Sequence, residues 1–495
     1  MTQPGAGLDL GVGSWPWRRA RMDPDRVAFR QADRAVGYAE LAGRVDRLAG
    51  GLARLGIGRG DRVAYLGPND IATFETFFAA GRLGAVFVPL NIRLAGPELE
   101  YQLADAGVGV LVHDPALPAP RGVRAVRLGD EFAALSTADP VTPATVQLAD
   151  PALILYTSGT TGRPKGAVLS HGNITFNTVN QLAHLDVLRG DTVICTAPLF
   201  HVTGLGQVSL PTLFKGGTVV VAPRFDPAWL LAAIAAHRAV AFSAVPTMLQ
   251  LLCDCPEWTD ADLSSLRYVV YGGSPAVERV ARAWLDRGVE VLQGYGMTEA
   301  APGVLMAQPG DAADRPLSAG VPHFFTEVGV RAAGELVARG PNIFTGYWQR
   351  PAETAAVLDA DGWFRSGDVV RFEDGHGYVV DRVQDMIISG GENIYPVEVE
   401  AVLGTAPGVV DCAVVGVPDE RWGEVGRAFL VTGPDYTEAG LRAYAEQRLA
   451  RYKIPKHLTL VDEIPRTATG KIRRDQLRQS PVDRPVRPTP GGTAP

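Results

Sequence analysis

The chain has 495 residues, 46% hydrophobic and 20% charged, close to globular averages, which excludes a mostly disordered, collagen-like or coiled-coil protein and suits two or three domains. Its 47 basic residues stand against 54 acidic ones, a net charge of −7, so there is no global positive field to hold nucleic acid or an anionic membrane. The 56 glycines and 37 prolines, about 11% and 7% against roughly 7% and 5% on average, predict many tight turns and backbone-lined pockets.

Near the N-terminus Trp15, Trp17, Arg18, Arg19 and Arg21 interrupt any apolar run of the kind a signal peptide needs, and no apolar stretch of roughly 18 residues follows. Cys195, Cys253, Cys255 and Cys412 are scattered without metal-ligand spacing, so the expectation is a reducing, cytoplasmic setting with no integral membrane segment. From 38 to 55, Leu41, Val45, Leu48, Leu52 and Leu55 recur at helical spacing, and Gly56 closes the pattern. Residues 62–66 read as a buried strand, 71–83 as a helix and 85–90 as another strand. Strand patterns return at 152–155, 193–198, 218–222, 266–271 and 290–293. The alternation predicts an α/β fold, a large N-terminal domain of layered α/β with parallel-rich sheets, in which ligands gather at the carboxyl ends of strands. At 377–382 the texture changes, and a small α+β C-terminal domain is expected. The expected boundaries are 1–381 and 382–479, with a disordered tail rich in Pro, Thr and Gly over 480–495.

Directly after the 152–155 strand come Tyr156, Thr157, Ser158, Gly159, Thr160, Thr161, Gly162, Arg163, Pro164, Lys165 and Gly166. Glycines let backbone N–H groups approach an anion, the hydroxyls of Thr157, Ser158, Thr160 and Thr161 add donors, and Lys165 adds a point charge for oxygens that become more negative as a bond breaks. The spacing is not that of the P-loop, which needs Gly immediately before Lys and Ser or Thr after it. Lysine is scarce, occurring at 165, 215, 453, 456 and 471, while arginine carries the rest of the positive charge. Further on, Gln293, Gly294, Tyr295, Gly296, Met297, Thr298 and Glu299 can stack a purine on Tyr295, touch a phosphate with Thr298 and hold Mg²⁺ through Glu299, since that hard cation takes oxygen ligands. Asp368 follows Gly367 and can accept two hydroxyl hydrogen bonds, as the acidic ribose residue of dinucleotide folds does. Gly390 and Gly391 lie between two strand-like runs and let backbone approach a narrow thiol arm, and Gly470 permits a turn that projects the Lys471 ammonium.

The run from Tyr156 to Gly166 resembles the signature of the adenylate-forming superfamily of acyl-CoA synthetases, adenylation domains and luciferases. The resemblance continues in order through 197–201, 293–299, 366–368, Asp381 and Arg382, 389–393 and 465–471, nearly the whole chain outside the tail. It implies an AMP-forming acid-thiol ligase that uses ATP and Mg²⁺, with coenzyme A as co-substrate. It also implies that Thr157, Ser158, Gly159, Thr160, Thr161, Gly162 and Lys165 cradle phosphate. Gly273, Ser274 and Pro275 would form one adenine wall, facing Gln293, Gly294, Tyr295, Gly296, Met297 and Thr298, with Glu299 on the metal and Asp368 with Arg382 on the ribose. By the same resemblance His201 gates the acyl pocket without transferring a proton, and Lys471 reaches the carboxylate and α-phosphate during adenylation. The C-terminal domain is then a mobile lid, and its Gly390 and Gly391 line the pantetheine tunnel. One departure stands out: the hinge two residues after Arg382 is usually Asp or Lys in the family and is Gln384 here.

The acyl pocket is assigned to His201, Val202, Gly204, Gly272, Gly296 and Gly303. Segments 202–206 and 300–305 offer no charge, and the acidic residue by which amino-acid-activating relatives bind an α-amine is missing, so the expected substrate is a mostly apolar fatty, alicyclic or aryl acid. Gly204, Gly206 and Gly303 are expected to leave room for it. Two alternatives share the motifs. An acyl-AMP ligase loading an acyl carrier protein would carry an insertion that this chain does not display, and a non-catalytic nucleotide-binding protein would be expected to lose Glu299 or Lys471, both of which are present.

Overall fold

The periodic segment after residue 38 forms the helix Tyr38–Arg54, which buries Leu41, Val45, Leu48 and Leu52 as its spacing requires. Strand Arg62–Leu66 and helix Ile71–Leu83 follow with the expected bounds. That helix is buried at every position, its two charged residues Glu75 and Arg82 being paired with Arg44 and Asp46. Asp70 caps it by accepting from Ala72 N at 2.8 Å, and Gly84 ends it in the left-handed region at φ 66°. The computed structural model describes residues 8–157, 164–273, 278–382, 385–389, 392–419, 422–449, 451–467 and 470–480. By contacts the chain divides into two units, 1–328 with 338–364, and 329–337 with 365–495.

The larger unit holds two sheets. One has nine strands in the order Val321–Pro322, Gly303–Met306, Glu290–Gly296, Tyr268–Tyr271, Ala241–Ala244, Thr192–Cys195, Thr218–Val221, Val27–Gln31 and Arg34–Gly37. Its middle is parallel, from Val27–Gln31 across to Glu290–Gly296, and both edges are antiparallel. The other has seven strands in the order Gly346–Tyr347, Lys165–Ser170, Pro151–Thr157, Val86–Pro89, Arg62–Leu66, Val108–His113 and Arg124–Arg127. Here too the parallel body ends in antiparallel strands, because Pro151–Thr157 pairs with Lys165–Ser170 as a hairpin, Thr157 opposite Lys165. The described ends of the glycine-rich run, Tyr156 with Thr157 and Lys165 with Gly166, therefore lie on neighbouring antiparallel strands. Branched strand residues and helix residues pack into cores around Phe242, Tyr271 and Trp284 beside the first sheet and around Val86, Val88 and Ile154 beside the second.

The smaller unit is α+β, as expected. Strands Ile387–Ser389, Glu392–Ile394, Val409–Asp419, Gly423–Thr432 and His457–Leu460 form one mostly antiparallel sheet, with helices Pro396–Leu403 and Glu438–Glu446 contributing to its core. Strands Phe364–Glu373 and His376–Arg382 pair as a hairpin, and residues from 365 onward group with this unit.

Within the larger unit, helix His171–His184 carries an unusual number of buried amides. Ser170 and Asn173 form a reciprocal cap, Asn173 N donating to Ser170 Oγ at 3.1 Å and Ser170 N to Asn173 Oδ1 at 2.8 Å. Asn173 Nδ2 also donates to the carbonyls of Pro341 and Ile343, at 2.8 and 2.6 Å. One turn on, Asn177 Nδ2 donates to Gly206 O at 2.9 Å while its Oδ1 accepts from Gly303 N at 3.2 Å. Asn180 Oδ1 accepts from Phe325 N at 2.9 Å, and Thr326 links onward to Asn342, whose Nδ2 donates to Gly303 O at 2.7 Å and Ala300 O at 3.2 Å. These side chains satisfy loop backbone that no ladder could. Asn177→Leu orphans Gly303 N and Gly206 O together, so it should lower unfolding free energy by about 2–4 kcal/mol, read from denaturant midpoints.

Candidate active site

Strand Glu290–Gly296 runs through most of the purine motif rather than stopping at Gln293, because it gains an antiparallel partner in Gly303–Met306, with Gly296 opposite Gly303. The chain between them is tight. Met297 N donates to Pro302 O at 2.9 Å, and a Cβ on Gly296 would lie 1.8 Å from that same oxygen, so only glycine fits. Residues Thr298–Ala300 form a single turn of 3₁₀-helix that presents Glu299. Gln293 and Tyr295 are buried, and Tyr271 donates from its hydroxyl to Gln293 Oε1 at 3.0 Å. Gly272 ends the neighbouring strand, and a Cβ there would stand 2.7 Å from Gly294 O and 3.5 Å from Gln207 Nε2. Next to it Gly273 takes φ 92°.

Glu299 is held at both ends by one segment. Its backbone carbonyl accepts from Phe344 N at 2.8 Å, and its carboxylate Oε1 accepts from the Tyr347 hydroxyl at 2.8 Å. Tyr347 lies on the edge strand Gly346–Tyr347, opposite Ala167 in the strand that begins with Lys165. The Lys165 ammonium stands 5.4 Å from the centre of the Tyr347 ring. Burial first, then the Glu299 charge, raises the Tyr347 phenol above its ordinary range, so it stays protonated and donates. At the base of the hairpin, Tyr156 donates to Asp105 Oδ2 at 2.8 Å, Arg350 donates to Asp105 Oδ1 at 2.5 Å, and Trp348 N donates to Gly166 O at 2.7 Å. Thr157 and Lys165 are thereby fixed as a cross-strand pair.

His201 precedes the short helix Val202–Gly206, with its N–H donating to Pro198 O at 3.0 Å. Asn69 pins this segment by donating to Ala197 O at 3.0 Å and accepting from Leu199 N at 2.8 Å. The His201 ring packs on Phe200, its Nε2 is buried without a partner, and burial pulls its pKa down to about 4. The ring is therefore neutral near pH 7. The glycines around it divide in purpose. Gly204 faces Pro198 O at 2.5 Å from a hypothetical Cβ and Gly206 faces Pro302 and Ala301, so both serve close backbone contacts, whereas Gly303 faces the side chains of His323 and Gln181. Val202 is buried.

In the smaller unit Asp368 is buried next to Gly367, at φ 70°, and stands in register opposite Arg382. Lys471 closes a turn in which Thr467 N donates to Lys471 O at 2.7 Å and Gly470 has φ 81°. Ser158, Gly159, Thr160, Thr161, Gly162, Ser274, Pro275, Gln384, Gly390, Gly391 and residues 481–495 lie outside the described residues, as does the Arg382 side chain.

A resident metal would need donors of its own, and among the described residues no group of three or more His, Cys, Asp or Glu gathers. One oriented carboxylate, Glu299, fits instead a Mg²⁺ that arrives with nucleotide phosphates and keeps waters. The residues Asn69, Asn177, Asn342 and Tyr347 escaped the sequence reading, since single amides and a tyrosine between apolar stretches carry no pattern. Tyr347→Phe removes one hydrogen bond from the Glu299 carboxylate and should raise the Mg²⁺ concentration for half-maximal ATP turnover about tenfold, measured by metal titration at saturating ATP. Acid stability supplies a second check. Burial holds His171 and His201 at about 4 and His323 at about 3, all below the unfolded value of about 6.5. The unfolded chain thus binds more protons, and stability present above about pH 6.5 is lost as pH falls towards 4; urea melts near pH 5 should show uptake of about three protons from these groups on unfolding.

Residues 16–348 match the AMP-binding enzyme family, and residues 398–471 match the AMP-binding enzyme C-terminal domain. A feruloyl-CoA synthase from an Amycolatopsis species is 50% identical, over 95% of this chain and 99% of its own. Indoleacetate–CoA ligase from Aromatoleum aromaticum is 42% identical, covering 95% of this chain and 98% of its own. The structure of o-succinylbenzoate CoA synthetase from Bacillus subtilis with its acyl-adenylate intermediate superposes with a TM-score of 0.86 at 33% identity, covering 94% of this chain and 98% of that one. The same enzyme, solved with ATP and magnesium ion, superposes at 0.85. The chain therefore belongs to the AMP-binding enzyme family, among the adenylate-forming acyl-CoA synthetases.

Proposed function

We propose that the protein is an ATP-dependent acyl-CoA synthetase whose substrate is an aryl acid, the narrowest of the fatty, alicyclic and aryl classes its apolar segments allow. The observation that carries the reaction class is Glu299, an oriented carboxylate at the edge of a glycine-walled strand, with Lys165 across the Tyr347 ring. The aryl choice is supported by the likeness to feruloyl-CoA synthase and indoleacetate–CoA ligase.

In this reading the acid's carboxylate attacks the α-phosphorus of ATP, the bond to pyrophosphate breaks, and an acyl-adenylate results. The CoA thiol then attacks the acyl carbon and AMP leaves. Mg²⁺ carried by the nucleotide neutralises phosphate charge. Tyr347 aims the Glu299 carboxylate, and Lys165, Thr157 and Thr298 offer positive charge and hydroxyl donors to phosphate oxygens. Tyr295 supplies a face for the purine, with Gly273, Gln293, Gly294, Gly296 and Met297 around it, and Asp368 with Arg382 takes the ribose. His201 stays neutral and gates the acyl group. Lys471 supplies charge during adenylation, and residues 382–479 act as the moving lid about a hinge at Gln384. CoA is favoured over a carrier protein as acceptor because the adenylation motifs run without an added insertion. The scattered cysteines support a reducing, cytoplasmic setting; no helix among the described residues is long and apolar enough to cross a membrane.

A panel of carboxylic acids with ATP and Mg²⁺, with and without CoA, should give AMP and acyl-CoA by mass spectrometry. Lys471→Ala should slow AMP formation about 10²–10³-fold. Acyl-AMP that accumulates with no thioester would point to a carrier-protein acceptor, and no ATP turnover with any acid would overturn the enzyme assignment.

A further inference from the structure

The amides of helix His171–His184 are satisfied for two turns and then stop being so. Asn173, Asn177 and Asn180 each make hydrogen bonds through both ends, yet on the same helix Gln181 Oε1 and His184 Nδ1 are buried without a partner. Facing them is His323, 2% exposed, whose ring nitrogens have no well-formed hydrogen bond and only a weak backbone contact with Asn180. The His184 and His323 rings meet edge to face with centroids 4.6 Å apart. Gln181 is 1% exposed. Buried polar atoms are rarely left unpaired, and a cluster contributed by two separate segments implies something that pairs them.

The cluster adjoins the adenylate strand. A Cβ on Gly303 would lie 2.4 Å from His323 Nε2 and 3.3 Å from Gln181 Nε2, and Gly303 is the cross-strand partner of Gly296. A single glycine thus separates the edge where the acyl-adenylate is proposed to form from a polar end made of Gln181, His184 and His323. Its chemistry is neutral: burial brings His323 to about 3 and lowers His184, so neither ring carries charge near pH 7. Gln181 Oε1 accepts a hydrogen bond, while a neutral imidazole offers one donor and one acceptor. A hydroxyl, which donates and accepts at once, matches this set; an alkyl end pairs with none of it, and an anion would meet no positive charge.

We propose that Gln181, His184 and His323 form the distal end of the acyl pocket and recognise a hydroxyl on the ring of an aryl acid. This rests on the acyl-CoA synthetase reading above. The test compares kcat/KM for cinnamic, 4-hydroxycinnamic and 4-hydroxy-3-methoxycinnamic acids, with octanoic acid alongside, in the wild type, Gln181→Leu and His323→Leu. The wild type should prefer the hydroxylated acids about tenfold or more over cinnamic acid, and each variant should lose about tenfold more on the hydroxylated acids than on cinnamic acid. Should His323→Leu fail to fold, Gln181→Leu and His323→Gln carry the comparison, the latter expected to keep part of the preference. A wild type without that preference, or a preference that survives Gln181→Leu, overturns the inference and leaves the synthetase assignment standing. Absence of AMP formation with all four acids removes the synthetase assignment for these substrates and this inference with it.

Discussion

Asn177 accepts from Gly303 N and donates to Gly206 O, and Asn342 returns to Gly303 from the other side, so the tight return from strand Glu290–Gly296 into strand Gly303–Met306 is held by side chains buried in the core. Backbone in a tight turn such as 297–302 cannot use a sheet ladder, and if water satisfied it the loop would be free to shift. Carboxamides suit the task because each offers donors and an acceptor at a fixed spacing and carries no charge to desolvate. The position of Glu299 depends on this scaffold: its own turn begins at Thr298 and its neighbour Ala300 is tied through its carbonyl to Asn342.

The second constraint is the junction of the two sheets. Glu299 arises after a strand of the nine-stranded sheet, and Tyr347 belongs to the edge of the seven-stranded one. A 2.8 Å hydrogen bond joins them, and a backbone bond from Phe344 to Glu299 runs beside it. Lys165 occupies the strand next to Tyr347, which brings a cation, a phenol and a carboxylate into one short row. In the proposed reaction such a row would be preorganised: its members are placed before the ligand arrives, and little reorganisation would remain when charge develops. Burial keeps Tyr347 protonated and His201 neutral, so within that row, among the described residues, the charge sits on Lys165 and Glu299.

Much of this was legible from residue order. The helical stripe from Leu41 to Leu52, the strand–helix–strand run from Arg62, the strand before the glycine-rich run and the strand that leads into Tyr295 all depend on local periodicity or on backbone freedom, both written in neighbouring residues. The reading of Gly204 and Gly206 as open space was not supported, because a glycine's sequence context does not say whether the missing side chain faces a ligand or another carbonyl. Asn69, Asn177 and Asn342 were invisible for a related reason, their partners being loop carbonyls and amides far away along the chain.

The sequence by itself determined the fold class, the order of the adenylate-forming motifs, and the residue types able to meet phosphate, purine and metal, since each rests on short-range spacing. Only the tertiary structure decided that Tyr347 holds Glu299, that Asp368 stands in register with Arg382, and that Gln181 and His323 meet across Gly303. These pairings join segments between 14 and 142 residues apart, numbers set by sheet order and strand register rather than by any local preference of the residues involved.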